Sequence, residues 1–324
     1  MPTGLMGWVD RPADRARIQA QWPKAFGRPA ALAESHPEWM GDGMTGDVML
    51  YKAYYEVEVP GWKARDAEPP YKAQPGNDCT AESTARGIDL LGFIDAADPT
   101  GETSVEWTGP ELRACIEGIY AYGLAAAEMR GDQGCYGSAI AKGLQTNGVI
   151  SYARAGKPHD VDGPRLRSWS NQPEKIVQNF REASAPFKVE ATLITTWESA
   201  CAWWANRGVV TIASTVGFAD PARPNSPGMR NDKGIVPAFG TWPHQMVAVG
   251  VIRSDGEETA VILQSWGPNV PKGPRPFGLP SFAFRCRRKD FERILGQQDC
   301  WGYRNWAGFR RTPVPGRWTF DALA

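Results

Sequence analysis

Four apolar, β-branched runs dominate the second half of the chain: VEATLI, VVTIAST, QMVAVGVI and TAVILQSW, all beyond residue 188. Turn residues bound them, and the pattern predicts strands. SDGEE (254–258) joins the last two and implies an antiparallel pair. Between residues 79 and 148 apolar residues instead recur at helical spacing. Helices are expected over 79–93, 109–129 and 136–146, at PEKIVQNFREA, and at TWESACAWWANRG with a C-cap at Gly208. A helix-rich stretch followed by a strand-rich one predicts an α+β protein with two lobes. The boundaries read as an N-terminal extension over 1–70, a helical lobe over 71–190, and a β-rich lobe with a C-terminal tail over 191–324. The extension is rich in Gly, Pro and Trp, with short helical stretches such as ADRARIQAQW, and reads as a segment laid over the larger body.

With 42% hydrophobic and 11% aromatic residues, 324 residues suffice for a substantial core. Lys+Arg and Asp+Glu both total 36, so net charge points to no nucleic-acid or membrane partner. The basic run RCRRKD (285–290) reads as a solvated strand end. No apolar run approaches the ~20 residues of a membrane span, and no leader-like pattern opens the chain. A reducing cytoplasm is the expected setting. Six irregularly spaced cysteines make no disulfide framework, and without a CxxC pair or zinc-spaced histidines no metal is expected.

One cysteine stands apart. In QPGNDCTAESTARGIDLLGFID (74–95) a polar turn delivers Cys79 to the first turn of an amphipathic helix, with Ala81, Ala85, Ile88 and Leu91 on one face. A helix start carries unpaired N–H groups and a positive dipole end, which favour thiolate over thiol. A lone cysteine there more often fills a helix-to-core contact, so a base and an orienting group are needed. Of three histidines, His36 and His159 sit in loop-like stretches, whereas His244 opens the strand GTWPHQMVAVGVI. Antiparallel pairing through SDGEE brings the end of the next strand, at Gln264, beside His244. A carboxamide there could accept the imidazole N–H and leave the other ring nitrogen for the thiol.

In this order Gln74, Cys79, His244 and Gln264-Ser265-Trp266-Gly267 resemble the papain-like cysteine peptidases, most closely the branch met in bacteriophages and some environmental bacteria. The Cys79-to-His244 separation of 165 residues exceeds the roughly 130–150 of the papain group, and the loop over 218–240 accounts for the excess. GDQGCYGSAIAKGLQTNGVIS resembles the family's glycine-rich cleft segment, and the likeness runs from residue 71 to about 310. It implies a papain-like two-lobe fold, the helical lobe carrying Cys79 and the antiparallel lobe His244. It also implies roles: Cys79 as nucleophile, His244 as base and then acid, Gln264 as orienter of His244, and Trp266 as cover over their hydrogen bond. Gln74 would donate to the oxyanion beside the Cys79 N–H, while Gly137 and Ser138 would line the cleft and pair with an extended peptide. The substrate would be a peptide or protein, and no cofactor is implied.

Three positions depart from the family. Gln264 stands where asparagine is usual, the Gln74-to-Cys79 spacing is one residue short, which makes Asn77 a rival oxyanion donor, and Gly76 replaces a frequent disulfide cysteine. Two rivals keep the fold. Cell-wall amidases share a motif like Asp78-Cys79-Thr80, and a binding or structural protein, part of a virus particle for instance, could retain the fold with little activity and dock through its extension. Cys135, in DQGCYGS, is a competing nucleophile, although the helix after it fits the cleft segment better. Arg130-Gly131-Asp132 reads as a turn.

Overall fold

The computed structural model describes residues 7–21, 46–52, 74–96, 113–158, 161–218, 229–267 and 270–306. Its helices are α1 (Pro12–Gln21), α2 (Cys79–Ala96), α3 (Ile116–Ala127), α4 (Gly137–Asn147), α5 (Gly163–Ser170), α6 (Pro173–Ser184), α7 (Trp197–Ala205) and α8 (Arg288–Leu295). The strands are β1 (Val48–Met49), β2 (Val189–Leu193), β3 (Val209–Phe218), β4 (Ala238–Ile252), β5 (Thr259–Leu263), β6 (Ala283–Arg287) and β7 (Trp301–Trp306). All pair antiparallel, in the order β2-β7-β3-β4-β5-β6, with β1 added on β4. The chain is thus α+β, with a helical lobe led by α2 and an antiparallel sheet.

The helical lobe forms around α3, against which α2, α4, α5 and α6 all pack. α2 also packs on β3 and β4 and so lies between the lobes. Its apolar face is the one read from the sequence: Ala81, Ala85, Ile88 and Leu91 are all buried. On the sheet, α7 and α8 bring Trp197, Trp204 and Phe291 into edge and tilted ring contacts with centroids 5.5–5.9 Å apart. Such pairs add to stability beyond the area they bury. β4 bends at Gly250, φ +154°, where a Cβ would lie 1.9 Å from the Val48 carbonyl oxygen of β1. Only glycine lets β1 close on that edge.

Several local expectations shift. α3 begins at Ile116 because Ala114 bridges to Ser151 and Cys115 is extended; positions 109–112 lie outside the described residues. α7 caps at Asn206, not Gly208, with Arg207 taking the left-handed turn at φ +63°. Gly208 serves another purpose, since a Cβ there would lie 2.3 Å from the Trp203 indole nitrogen. In RCRRKD, expected at a solvated strand end, Arg285 is fully buried and ion-paired with Asp255 at 2.6 Å. His36 and His159 lie outside the described residues. Among the described residues no helix is long and apolar enough to cross a membrane, and no group of three His, Cys, Asp or Glu side chains could hold a metal ion.

Candidate active site

Cys79 is the first residue of α2, and β4 reaches it from the sheet. The Gln245 backbone N–H donates to the Cys79 sulfur at 3.3 Å, one residue along the strand from His244. Because side chains alternate along a strand, His244 and Gln245 leave β4 in opposite directions. The Gln245 carboxamide, fully buried, turns to α2 and donates to Thr80 O at 3.1 Å and Ser83 Oγ at 2.9 Å. That ties the histidine strand to the first turn of the cysteine helix. Gln245 was not singled out in the sequence, although its place next to a strand histidine was the available signal.

His244 is almost fully buried, and its Nε2 finds no hydrogen-bond partner among the described residues. The Trp266 ring stacks on the imidazole with centroids 4.8 Å apart and planes 26° apart, and Trp242 meets Trp266 edge-on at 5.3 Å. The indole lies over His244, without the Gln264 hydrogen bond it was expected to cover. Gln264 is turned elsewhere: its Nε2 donates to the carbonyls of Gly267, at 2.9 Å, and Val270, and its Oε1 accepts the Trp266 N–H. None of these bonds goes to His244. Gln264 braces the turn that presents Trp266, and its own carbonyl accepts from Arg86 of α2.

The loop before Cys79 is bound to the same turn. Gln74 accepts from Ser265 Oγ at 2.7 Å, its backbone N–H donates to Ser265 O at 3.1 Å, and its Nε2 donates to Gly76 O at 2.9 Å. The rival oxyanion donor Asn77 places both its backbone N–H and its Nδ2 on Asp132, at 2.7 and 2.9 Å. Asp78 is fully buried, and its carboxyl oxygens find no hydrogen-bond partner among the described residues. Burial, with the nearby Glu82 charge, raises its pKa well above the usual carboxylate range.

Gly137 and Ser138 are also buried, and their N–H groups both donate to the Asp299 carboxylate at 2.8 Å. Trp301 Nε1 and Trp8 Nε1 also donate to it, at 3.0 and 2.8 Å, and the Arg15 guanidinium stands 4.0 Å away. The strand pairing expected of Gly137 and Ser138 is made instead by Cys135, and its partner is the chain's own N-terminal segment. Val9 N–H donates to Cys135 O at 3.0 Å, and Cys135 N–H donates to Gly7 O at 2.7 Å. Trp8, fully buried, forms a small apolar cluster with Cys79 and Ala213.

This covering dictates the electrostatics. Burial pushes the Cys79 thiol up to about 12, opposed by the N–H groups of Gln245, Gly7 and Trp8 and reinforced by Asp78. Burial, and secondarily the Arg86 charge, pushes His244 down to about 3. Thiol and imidazole are therefore both neutral near pH 7, which is what loss of water does to a would-be ion pair. Burial raises the Cys135 thiol as well.

No family model matches this chain, and no curated protein matches it either. Among solved structures it is similar to xylellain, a cysteine protease from Xylella fastidiosa, at 18% identity over 73% of this chain and 83% of that one, with a TM-score of 0.48. Procathepsin B S9 from Trypanosoma congolense is 11% identical over 83% and 80% of the two chains, with a TM-score of 0.47. Digestive procathepsin L 3 of the Tenebrio molitor larval midgut is 12% identical over 91% and 93%, with a TM-score of 0.41.

Proposed function

We propose that the chain is a papain-like thiol hydrolase that cleaves peptide or isopeptide bonds through a thioester on Cys79. The observation that carries this reading is the joining of the two lobes at one point. A thiol on the first turn of α2 meets the β4 backbone one residue from a histidine roofed by Trp266. A helix start and an adjacent N–H donor are the surroundings that stabilise a thiolate once water is admitted.

In the reaction His244 takes the Cys79 proton, and the thiolate attacks the carbonyl carbon. The oxyanion that forms is held by the Cys79 N–H with Gln74 or Asn77, whose side chains must leave Gly76 or Asp132 to reach it. His244 then gives its proton to the departing amine, and water, deprotonated by His244, hydrolyses the thioester. Gln264 contributes through the turn that seats Trp266 over the imidazole.

A second reading, a binding or structural protein on the same fold, draws on the complete burial of Cys79. Cleavage of a peptide library by the protein, absent in Cys79→Ala, separates the two. Equal cleavage by both proteins, or none by a protein whose Cys79 is accessible to reagents, removes the hydrolase reading.

A further inference from the structure

The segment over Cys79 is fitted to its place. A Cβ on Gly7 would lie 2.2 Å from Asn77 O and 2.5 Å from Cys79 N, so the Gly7 backbone lies directly on the loop that delivers the thiol. On its other side stands Gly134, held at φ +90°, where a Cβ would come 2.7 Å from Gly7 O. Two glycines, one on each partner, permit this approach. Parallel to Cys135, the segment makes two backbone hydrogen bonds, as an added strand does. The next side chain, Trp8, fills a pocket floored by Cys79 and Ala213, and its indole N–H meets the buried Asp299 carboxylate at 2.8 Å. A buried carboxylate is a specific receptor for an N–H donor at that depth.

Beyond residue 9 the segment is anchored as well: Ile18 of α1 is fully buried in the main core, and Arg15, also buried, lies 4.0 Å from the Asp299 carboxylate. α1 rests on the rim through Arg15 to Gln297 O at 3.0 Å, and through exposed contacts of Gln19 with Gln298 O and of Arg17 with Glu128, both at 3.3 Å. Between α1 and that rim lies an open polar pocket of about 380 Å³, bordered by Asp10, Thr215 and Gln297.

We propose that the groove between Cys135 and the start of α2 is a peptide-binding site that reads a glycine followed by tryptophan in an extended chain. Residues 7–9 are its resident ligand, and Cys79 is reachable only when they leave. This rests on the Cys79 site being the functional cleft, and it adds to that reading both a ligand preference and a form of control. Tryptophan is preferred over other aromatics because Asp299 accepts from its N–H, and glycine precedes it because no side chain fits against Asn77.

Alkylation of the full-length chain by iodoacetamide, read at each cysteine by mass spectrometry, tests this. Cys79 is expected to be protected in the unsubstituted protein. In Gly7→Val it should react at least about tenfold faster, since the segment can no longer close. A synthetic peptide of residues 7–21 should restore protection to Gly7→Val, and the same peptide with W8A should not. Continued protection of Cys115, Cys201 and Cys286, all buried away from the groove, reports an intact fold. If they react too, the chain variant Trp8→Ala is read in place of Gly7→Val. An unchanged Cys79 rate in an intact variant, or a peptide that gives no protection, overturns the proposal. Turnover does not enter this readout. An intact variant with exposed Cys79 that cleaves no peptide overturns the hydrolase reading and leaves the groove assignment standing.

Discussion

Two helix starts face the same groove and are treated in opposite ways. α4 begins at Gly137 without a side-chain cap of its own, and Asp299, far along the chain, supplies both oxygens to its first two N–H groups. α2 begins at Cys79 with no such cap: the Asp78 carboxyl beside it makes no hydrogen bond among the described residues, and the thiol receives the Gln245 N–H at 3.3 Å, with the N–H groups of Gly7 and Trp8 also acting on it. A carboxylate at a helix start satisfies orphan donors and fixes structure. A thiol in the same field is favoured as an anion only once water reaches it, since burial now holds Cys79 up to about 12. The same physics serves anchoring at α4 and, in the proposed reaction, would serve chemistry at α2, and Trp8 touches both by resting on Cys79 and donating to Asp299.

Substitutions at the two starts should separate along that line. Cys79→Ala should lower peptide turnover on the order of 10⁶-fold, to background, because the nucleophile is lost. Its urea midpoint should stay near that of the parent; a large drop would make Cys79 an anchor like Asp299. Asp299→Ala should cost about 3 kcal/mol or more in urea unfolding, since it strands several buried donors. A loss within error would mean that α4 does not depend on this cap.

Gln245 sharpens the contrast, because its carboxamide holds the α2 start through donors that do no chemistry. Gln245→Ala should lower kcat by about 10- to 10²-fold with little change in KM, and should shift the pH profile of the rate as the thiol and imidazole part. A variant whose KM alone moves would exclude that positioning role. The smallest effect concerns protons. His244 is held down to about 3 in the fold from an ordinary 6.5. As pH falls below 6.5 the unfolded chain takes up a proton that the folded one refuses, so stability drops through this window. Lowering the pH from 7 to 5.5 should cost the parent about 1 kcal/mol more than it costs His244→Asn, by urea unfolding at both pH values. Equal losses would mean that His244 is hydrated and charged in the fold.

Much of this was legible in the sequence wherever the signal is local. Helical spacing from residue 79 and the β-branched runs from 189 gave α2 and β2 to β5, because burial of one face is written into the spacing of apolar residues. The SDGEE turn placed Gln264 beside the start of the His244 strand, whereas the proximity of Cys79 to that strand was implied only by the resemblance to the papain-like peptidases. Side-chain directions did not. Gln264 could be placed at a strand end, but its carboxamide goes to Val270, in a turn that no local pattern specifies. Asp299 and Trp8 were missed because their roles exist only between positions separated by 291 residues. Gly7 was one of 35 glycines until the Asn77 backbone was seen against it.

The central claim, that the reactive thiol is the one at the α2 start and is served by His244, can be tested by treating Gly7→Val with a thiol-directed epoxide and mapping the adduct. The adduct should form on Cys79 and should disappear when His244→Ala is added. An adduct on Cys135, or one on Cys79 that forms equally well without His244, would contradict it.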